Sequence, residues 1–227
     1  MANKQKDSNT RTSIDEINDS LSSIEQHVEN NKKIITWSVV GVIVLAAIIL
    51  GYIYGIHKPG IEKARTAISQ ADMQAMQGND SIALAQYMAV ADQFGSDPAN
   101  RAALEAGVRL YKNGKYQEAL NYLQKFDVSE SLIGAASQSL IGDCYVNLKK
   151  YDEAIKYFNK AIDLSDNNSL YTPLFMIKEA TVYRELKNYK AEADLYKKIQ
   201  SEYPEFGPSY NMDIKKYIER AEAQSAQ

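Results

Sequence analysis

Two histidines, one cysteine and a scatter of adjacent carboxylates are the residues of this chain that could do chemistry. Histidine is the commonest general acid or base, but His27 and His57 lie on opposite sides of a long apolar run and cannot join one site. No CxxC, HExxH, P-loop or glycine-rich nucleotide fingerprint occurs, so neither metal nor cofactor binding is expected. Cys144 stands where a helix pair needs a small buried side chain, with no basic neighbourhood to make it a reactive thiolate. Neighbouring acids such as Asp152 and Glu153 fit the solvated face of a helix. The chain is not expected to be an enzyme. Its elements should serve to position a binding surface.

The first element is the run Ile34–Ile56, 23 residues without a charge. As a helix it would reach about 35 Å, enough for a hydrocarbon core of about 30 Å. Trp37 sits near one boundary and Tyr52 and Tyr54 near the other, the depth that amphipathic rings favour. The leader of 33 residues carries six acids, and no small-x-small site comes soon after the run, so an uncleaved signal anchor is expected over residues 34–56. Lys32 and Lys33 flank one end, and Lys58, Lys63 and Arg65 the other, so charge alone does not orient the span.

Residues 1–33 form a head of net charge −1. Ile14, Ile17, Leu21, Ile24 and Val28 make a short apolar seam, and Ser13 with Glu16 fits a capping box. The seam is either a half-formed helix leading into the span or a docking helix that folds on a partner. The rest of the chain carries 21 basic and 23 acidic residues, and the sequence pI is about 5.5. No basic stripe suggests nucleic acid, and nothing points to a small-molecule substrate. A single cysteine leaves the redox compartment open.

Beyond the span, three segments read alike. They start at Ala106 (AGVRLYKNGKYQEALNYLQKF), Ile141 (IGDCYVNLKKYDEAIKYFNKA) and Glu179 (EATVYRELKNYKAEADLYKKI). Each has a small residue (Gly107, Gly142, Ala180), a turn, a tyrosine (Tyr116, Tyr151, Tyr189) and a large residue seven positions on (Leu123, Phe158, Tyr196). A period near 34 with paired amphipathic helices is the tetratricopeptide (TPR) signature. The small residues, with Ala119 and Ala154, should let paired helices approach, while large residues of the next repeat fill the gap between pairs. Glu192 occupies the alanine position of the third unit, so that pair is expected to be splayed or shifted in register. Residues 58–98 read as a degenerate helix pair, with Gly78-Asn79-Asp80 as the turn and Gly95 to Pro98 as the stop. Residues 99–206 hold the three repeats. Residues 207–227 read as a capping helix with Ile214, Tyr217, Ile218 and Ala221 on one face. The fold class expected is all-α: an N-terminal transmembrane helix followed by a TPR-type α-solenoid.

In such solenoids the first helix of each pair lines the concave face. In repeat one this points Arg101, Leu104, Val108, Tyr111 and Lys112 inward. In repeat two it selects Ser139, Asp143, Val146 and Asn147, and in repeat three Leu174, Ile177, Thr181, Arg184 and Glu185. The groove is mixed, with an apolar end around Tyr111.

The layout resembles the YfgM family of bacterial inner-membrane proteins, above all members of the Bacteroidetes type. The stretches that carry the likeness are IDEINDSLSSIEQHVENNKK, LIGDCYVNLKKYDEAIKYFNKA and YKKIQSEYP. The resemblance implies a cytoplasmic head and a periplasmic TPR domain. It also implies association with the SecYEG translocon alongside the membrane chaperone PpiD, and handover of exported polypeptides to periplasmic chaperones. Two alternatives stay open: a self-associating scaffold of an envelope complex, for which Gly51 and Gly55 give one GxxxG pair, and an import-type TPR receptor.

Overall fold

The computed structural model describes residues 29–128 and 131–226. The head seam and its capping box lie outside the described residues. The chain divides into two units, residues 1–59 and 60–227.

In the first unit, α1 (Lys32–Tyr52) continues into a π-helical turn, Ile53–His57. Its side chains are exposed all round, from Ile34 and Trp37 to Leu50 and Tyr52. A helix none of whose side chains is buried against the described residues, yet which carries no charged residue between Ile34 and Ile56, suits a lipid environment. This helix is the one described element long and apolar enough to cross a membrane.

The second unit is built from helix pairs. They are α2 (Lys58–Met76) with α3 (Asp80–Gln93), α4 (Asp97–Lys112) with α5 (Tyr116–Leu123), α6 (Ser131–Asn147) with α7 (Tyr151–Leu164), and α8 (Tyr171–Glu185) with α9 (Tyr189–Glu202). A short turn, α10 (Phe206–Ser209), leads to α11 (Ile214–Ser225). Pro98 does not act as a stop: it lies in the first turn of α4, where its missing N–H costs nothing.

One turn repeats in all four pairs. Gly78, Gly114, Lys149 and Lys187 each end a first helix with φ between 58° and 79°. At each, the turn residue donates to the carbonyl three positions back, and the next residue to the carbonyl five back. At the second pair these are Gly114 N to Tyr111 O and Lys115 N to Leu110 O, both 2.9 Å. At the fourth they are Lys187 N to Arg184 O at 2.9 Å and Asn188 N to Tyr183 O at 2.8 Å. This is the Schellman motif, which satisfies the last carbonyls of the helix. The same turn at Gly78 ends α2 ahead of α3.

The small and large positions meet within each pair, not between pairs as the sequence suggested. A Cβ on Gly107 would lie 2.5 Å from Leu123 Cγ, and one on Gly142 would lie 2.7 Å from the Phe158 ring. Ala71 with Tyr87 and Ala180 with Tyr196 occupy the corresponding places, all fully or almost fully buried. The second helix therefore presses a large side chain onto a gap in the first. The core runs from Ile68 through Leu110 and Ile141 to Cys144. It continues through Phe158 and Val182 to Tyr196, Ile199 and Ile218.

The third repeat is neither splayed nor shifted. Glu192 is fully buried and pairs with Arg220 of α11, so the cap supplies the cation that a carboxylate in an alanine position needs. Tyr217 stacks on Tyr196 at 5.1 Å between centroids, and Ile214, Ile218 and Ala221 form the buried face of the cap itself.

Candidate functional site

The candidate face is formed by the first helices α2, α4, α6 and α8. Polar links join consecutive first helices. Arg101 on α4 donates to Asp72 on α2 at 2.7 Å, and Asp72 also accepts from the Tyr87 hydroxyl at 2.6 Å. Tyr111 at the end of α4 lies within electrostatic reach of Asp143 and Asn147, both on α6, and Asn147 Nδ2 donates to the Asp143 carbonyl at 2.8 Å. Lys178 on α8 donates to Asp143 Oδ2 at 2.5 Å.

These links carry electrostatic consequences. Burial raises the Asp143 carboxyl above the ordinary range, and the neighbouring Lys178 ammonium only partly opposes it. Burial also raises the Tyr111 hydroxyl, with the Asp143 charge adding to it. Burial first, and then the hydrogen bond to Asp72, push the Tyr87 hydroxyl up to about 12.

The groove residues expected from sequence differ in burial. Arg101, Lys112, Asn147 and Glu185 are exposed. Val108, Asp143, Val146, Thr181 and Arg184 are half-buried. Leu104 and Tyr111 pack against the first core cluster, and Leu174 and Ile177 against the cluster under the cap. Ser139 is buried. Tyr111, Asn147 and Asp143 come together with Lys178, which the sequence reading did not select. The signal was available: Lys178 lies one position after Ile177 on a first helix, 35 residues from Asp143, one repeat on.

Cys144 is fully buried, and its thiol is pushed up to about 12, chiefly by burial and then by Asp143. Glu179 is nearly buried, accepts from Asn159 Nδ2 at 2.9 Å and is raised by burial. Both are packed groups. Among the described residues no cluster of histidine, cysteine and carboxylates could hold a metal ion.

Residues 135–168 match the tetratricopeptide repeat family profile. No curated protein matches the chain. Among solved structures the chain is similar to a MamA protein, at 20% identity over 73% of this chain and 89% of that one, with a TM-score of 0.54. It is also similar to residues 41 to the end of MamA from Desulfovibrio magneticus RS-1, at 18% identity over 63% and 76%, with a TM-score of 0.51. A third likeness is to a point variant of the nearly identical TPR-like repeats from a Podosopora anserina putative kinesin light chain, at 15% identity over 72% and 95%, with a TM-score of 0.50. At these identities the likeness is one of fold. With the repeated turns, the paired small and large positions and the matched repeat, the body is an all-helical solenoid of the tetratricopeptide type, preceded by an apolar helix.

Proposed function

We propose that this protein is a membrane-anchored adaptor that binds protein partners on the face of its first helices. The observation that carries this reading is the face itself. It mixes exposed charge at Arg101 and Lys112 with half-buried apolar and aromatic side chains at Val108, Tyr111 and Val146. Solenoids use such extended surfaces to hold polypeptides. The exposed apolar helix α1 supports attachment to a membrane. The resemblance in layout to the YfgM family makes the SecYEG translocon, a PpiD-like chaperone and exported polypeptides the partners to test. It also proposes the bacterial inner membrane, with the N-terminus cytoplasmic and the solenoid periplasmic.

Photo-crosslinkers at the exposed positions Lys112 and Asn147 should capture exported polypeptides or periplasmic chaperones. One at Ile53 should capture translocon or PpiD-like membrane helices. Replacing Tyr111 with Ala should weaken the first contact and spare the second, since an aromatic anchor acts in its own pocket. Protease added to spheroplasts should digest the chain beyond about residue 58, in line with a span that ends there. A body protected until lysis would overturn the periplasmic placement.

A self-associating scaffold is the second reading. It is favoured by Met73, Met76 and Ile82, apolar side chains exposed on the first helix pair. Adducts of this chain with itself at every position would replace the adaptor reading with this one.

A further inference from the structure

A second candidate site lies away from the first-helix face. Between the loop that leads into α8 and the segment joining α9 to α10 is a cavity of about 380 Å³. Leu170, Tyr203, Phe206 and Tyr210 give it an apolar, aromatic lining, and Glu202 and Glu205 add two carboxylates. Tyr203 and Phe206 are buried and held in place, whereas Tyr210 is 49% exposed and leans on Phe206 with ring centroids 4.8 Å apart. The Tyr203 hydroxyl donates to Asn167 Oδ1 at 3.4 Å, which fixes that ring.

The charge balance of this cavity is one-sided. Its lining contains two acids and no lysine, arginine or histidine. Neither Glu202 nor Glu205 forms an ion pair among the described residues, although many other carboxylates of the solenoid do. A small apolar cavity of this size accepts one long side chain more readily than a folded surface or a large ligand. Aromatic faces and carboxylates together favour a flat, weakly hydrated cation with an aliphatic stem. Guanidinium meets that description better than ammonium, because it stacks on rings and engages carboxylate oxygens through several donors.

We infer that this cavity binds an arginine side chain of a polypeptide partner, with the guanidinium between Glu202 and Glu205 and its stem against Tyr210. The site is separate from the first-helix face and does not depend on the adaptor reading.

The test uses the full chain in detergent and two short acetylated, amidated diazirine peptides. One carries arginine and the other its neutral isostere citrulline. At subsaturating concentration the arginine peptide should label residues 202–210 about tenfold more than the citrulline peptide, the scale of one desolvated cation contact. Glu202→Gln with Glu205→Gln should abolish that preference without moving the thermal midpoint, since both side chains are exposed. Tyr111→Ala should leave the labelling unchanged. Equal labelling by the two peptides, adducts confined to other segments, or a preference that survives the double substitution would overturn the assignment. Labelling lost in Tyr111→Ala would move the site to the first-helix face and would overturn it too.

Discussion

Arg220 on the capping helix is paired with Glu192 on α9, and the two differ sharply in access to water: Glu192 is fully buried, while the Arg220 side chain is 36% exposed. The pair spans 28 residues and joins the last repeat to the cap. A buried carboxylate stripped of its cation keeps the full cost of desolvation, whereas a partly exposed guanidinium stripped of its anion can turn to solvent.

The two halves of the pair should therefore fail unequally. Arg220→Ala should destabilise the solenoid by about 3–5 kcal/mol, the cost of an uncompensated buried charge. Glu192→Ala, which restores the small residue of the repeat, should cost clearly less. Urea denaturation of both variants reads the difference. Equal losses would mean that the carboxylate finds another partner.

The turn residues Lys149 and Lys187, both at φ 58°, occupy the place that Gly78 and Gly114 hold in the first two pairs. A side chain in this region costs about 1–2 kcal/mol, partly offset by the entropy glycine loses on folding, about 0.5–1 kcal/mol. Lys149→Gly and Lys187→Gly should each stabilise the protein by about 0.5–1 kcal/mol. Gly114→Ala should destabilise it. Denaturation midpoints of the three variants decide the sign.

Gly142 leaves no room for a side chain beneath Phe158, the closest ring atom lying 2.7 Å from where a Cβ would stand. Gly142→Leu should overpack the pair and cost about 1–3 kcal/mol. Two residues on, the Cys144 thiol has its pKa pushed from an ordinary 9.0 to about 12. Its reaction with thiol reagents should be slow in the native protein and show no rise as pH passes 9, while the denatured chain reacts fast and does show that rise. A fast native thiol would place Cys144 outside the core.

Asp143 has a native pKa raised above its unfolded value of 3.8. The folded state therefore holds its proton more tightly, and stability contributed by this group is present at low pH and lost as pH rises past the unfolded value. Asp143→Asn should gain on the parent protein as pH climbs from 3.8 through the raised native value, and then hold its advantage. Lys178, with a side chain 41% exposed, can reach water once its partner is neutral. Stability curves against pH for the two proteins test this. A variant less stable at neutral pH would mean that the Lys178 bond outweighs burial. A carboxylate kept at such a cost on the first-helix face is a strong place to look for loss of partner binding in the same variant.

The sequence by itself determined the features that local order along the chain sets. Length and the absence of charge from Ile34 to Ile56 were enough to mark the apolar helix, because lipid selects for composition over a fixed length. The recurring tyrosines and the small-then-large spacing were enough to set the solenoid, because each helix pair repeats the same short-range packing problem. Only the tertiary structure decided which distant groups meet. Leu123 and Phe158 fill gaps in their own pairs, Lys178 joins Asp143 across a repeat, and Arg220 neutralises Glu192 from beyond the array. The sequence marked Glu192 as a departure from the repeat but could not name its partner. Charge pairing acts through space, and the cation stands 28 residues away on a helix that docks through the stack of Tyr217 on Tyr196. The cavity at Tyr203 and Tyr210 escaped sequence reading for the same reason. It forms where two loops meet, and loops carry no periodic pattern from which their contacts can be read.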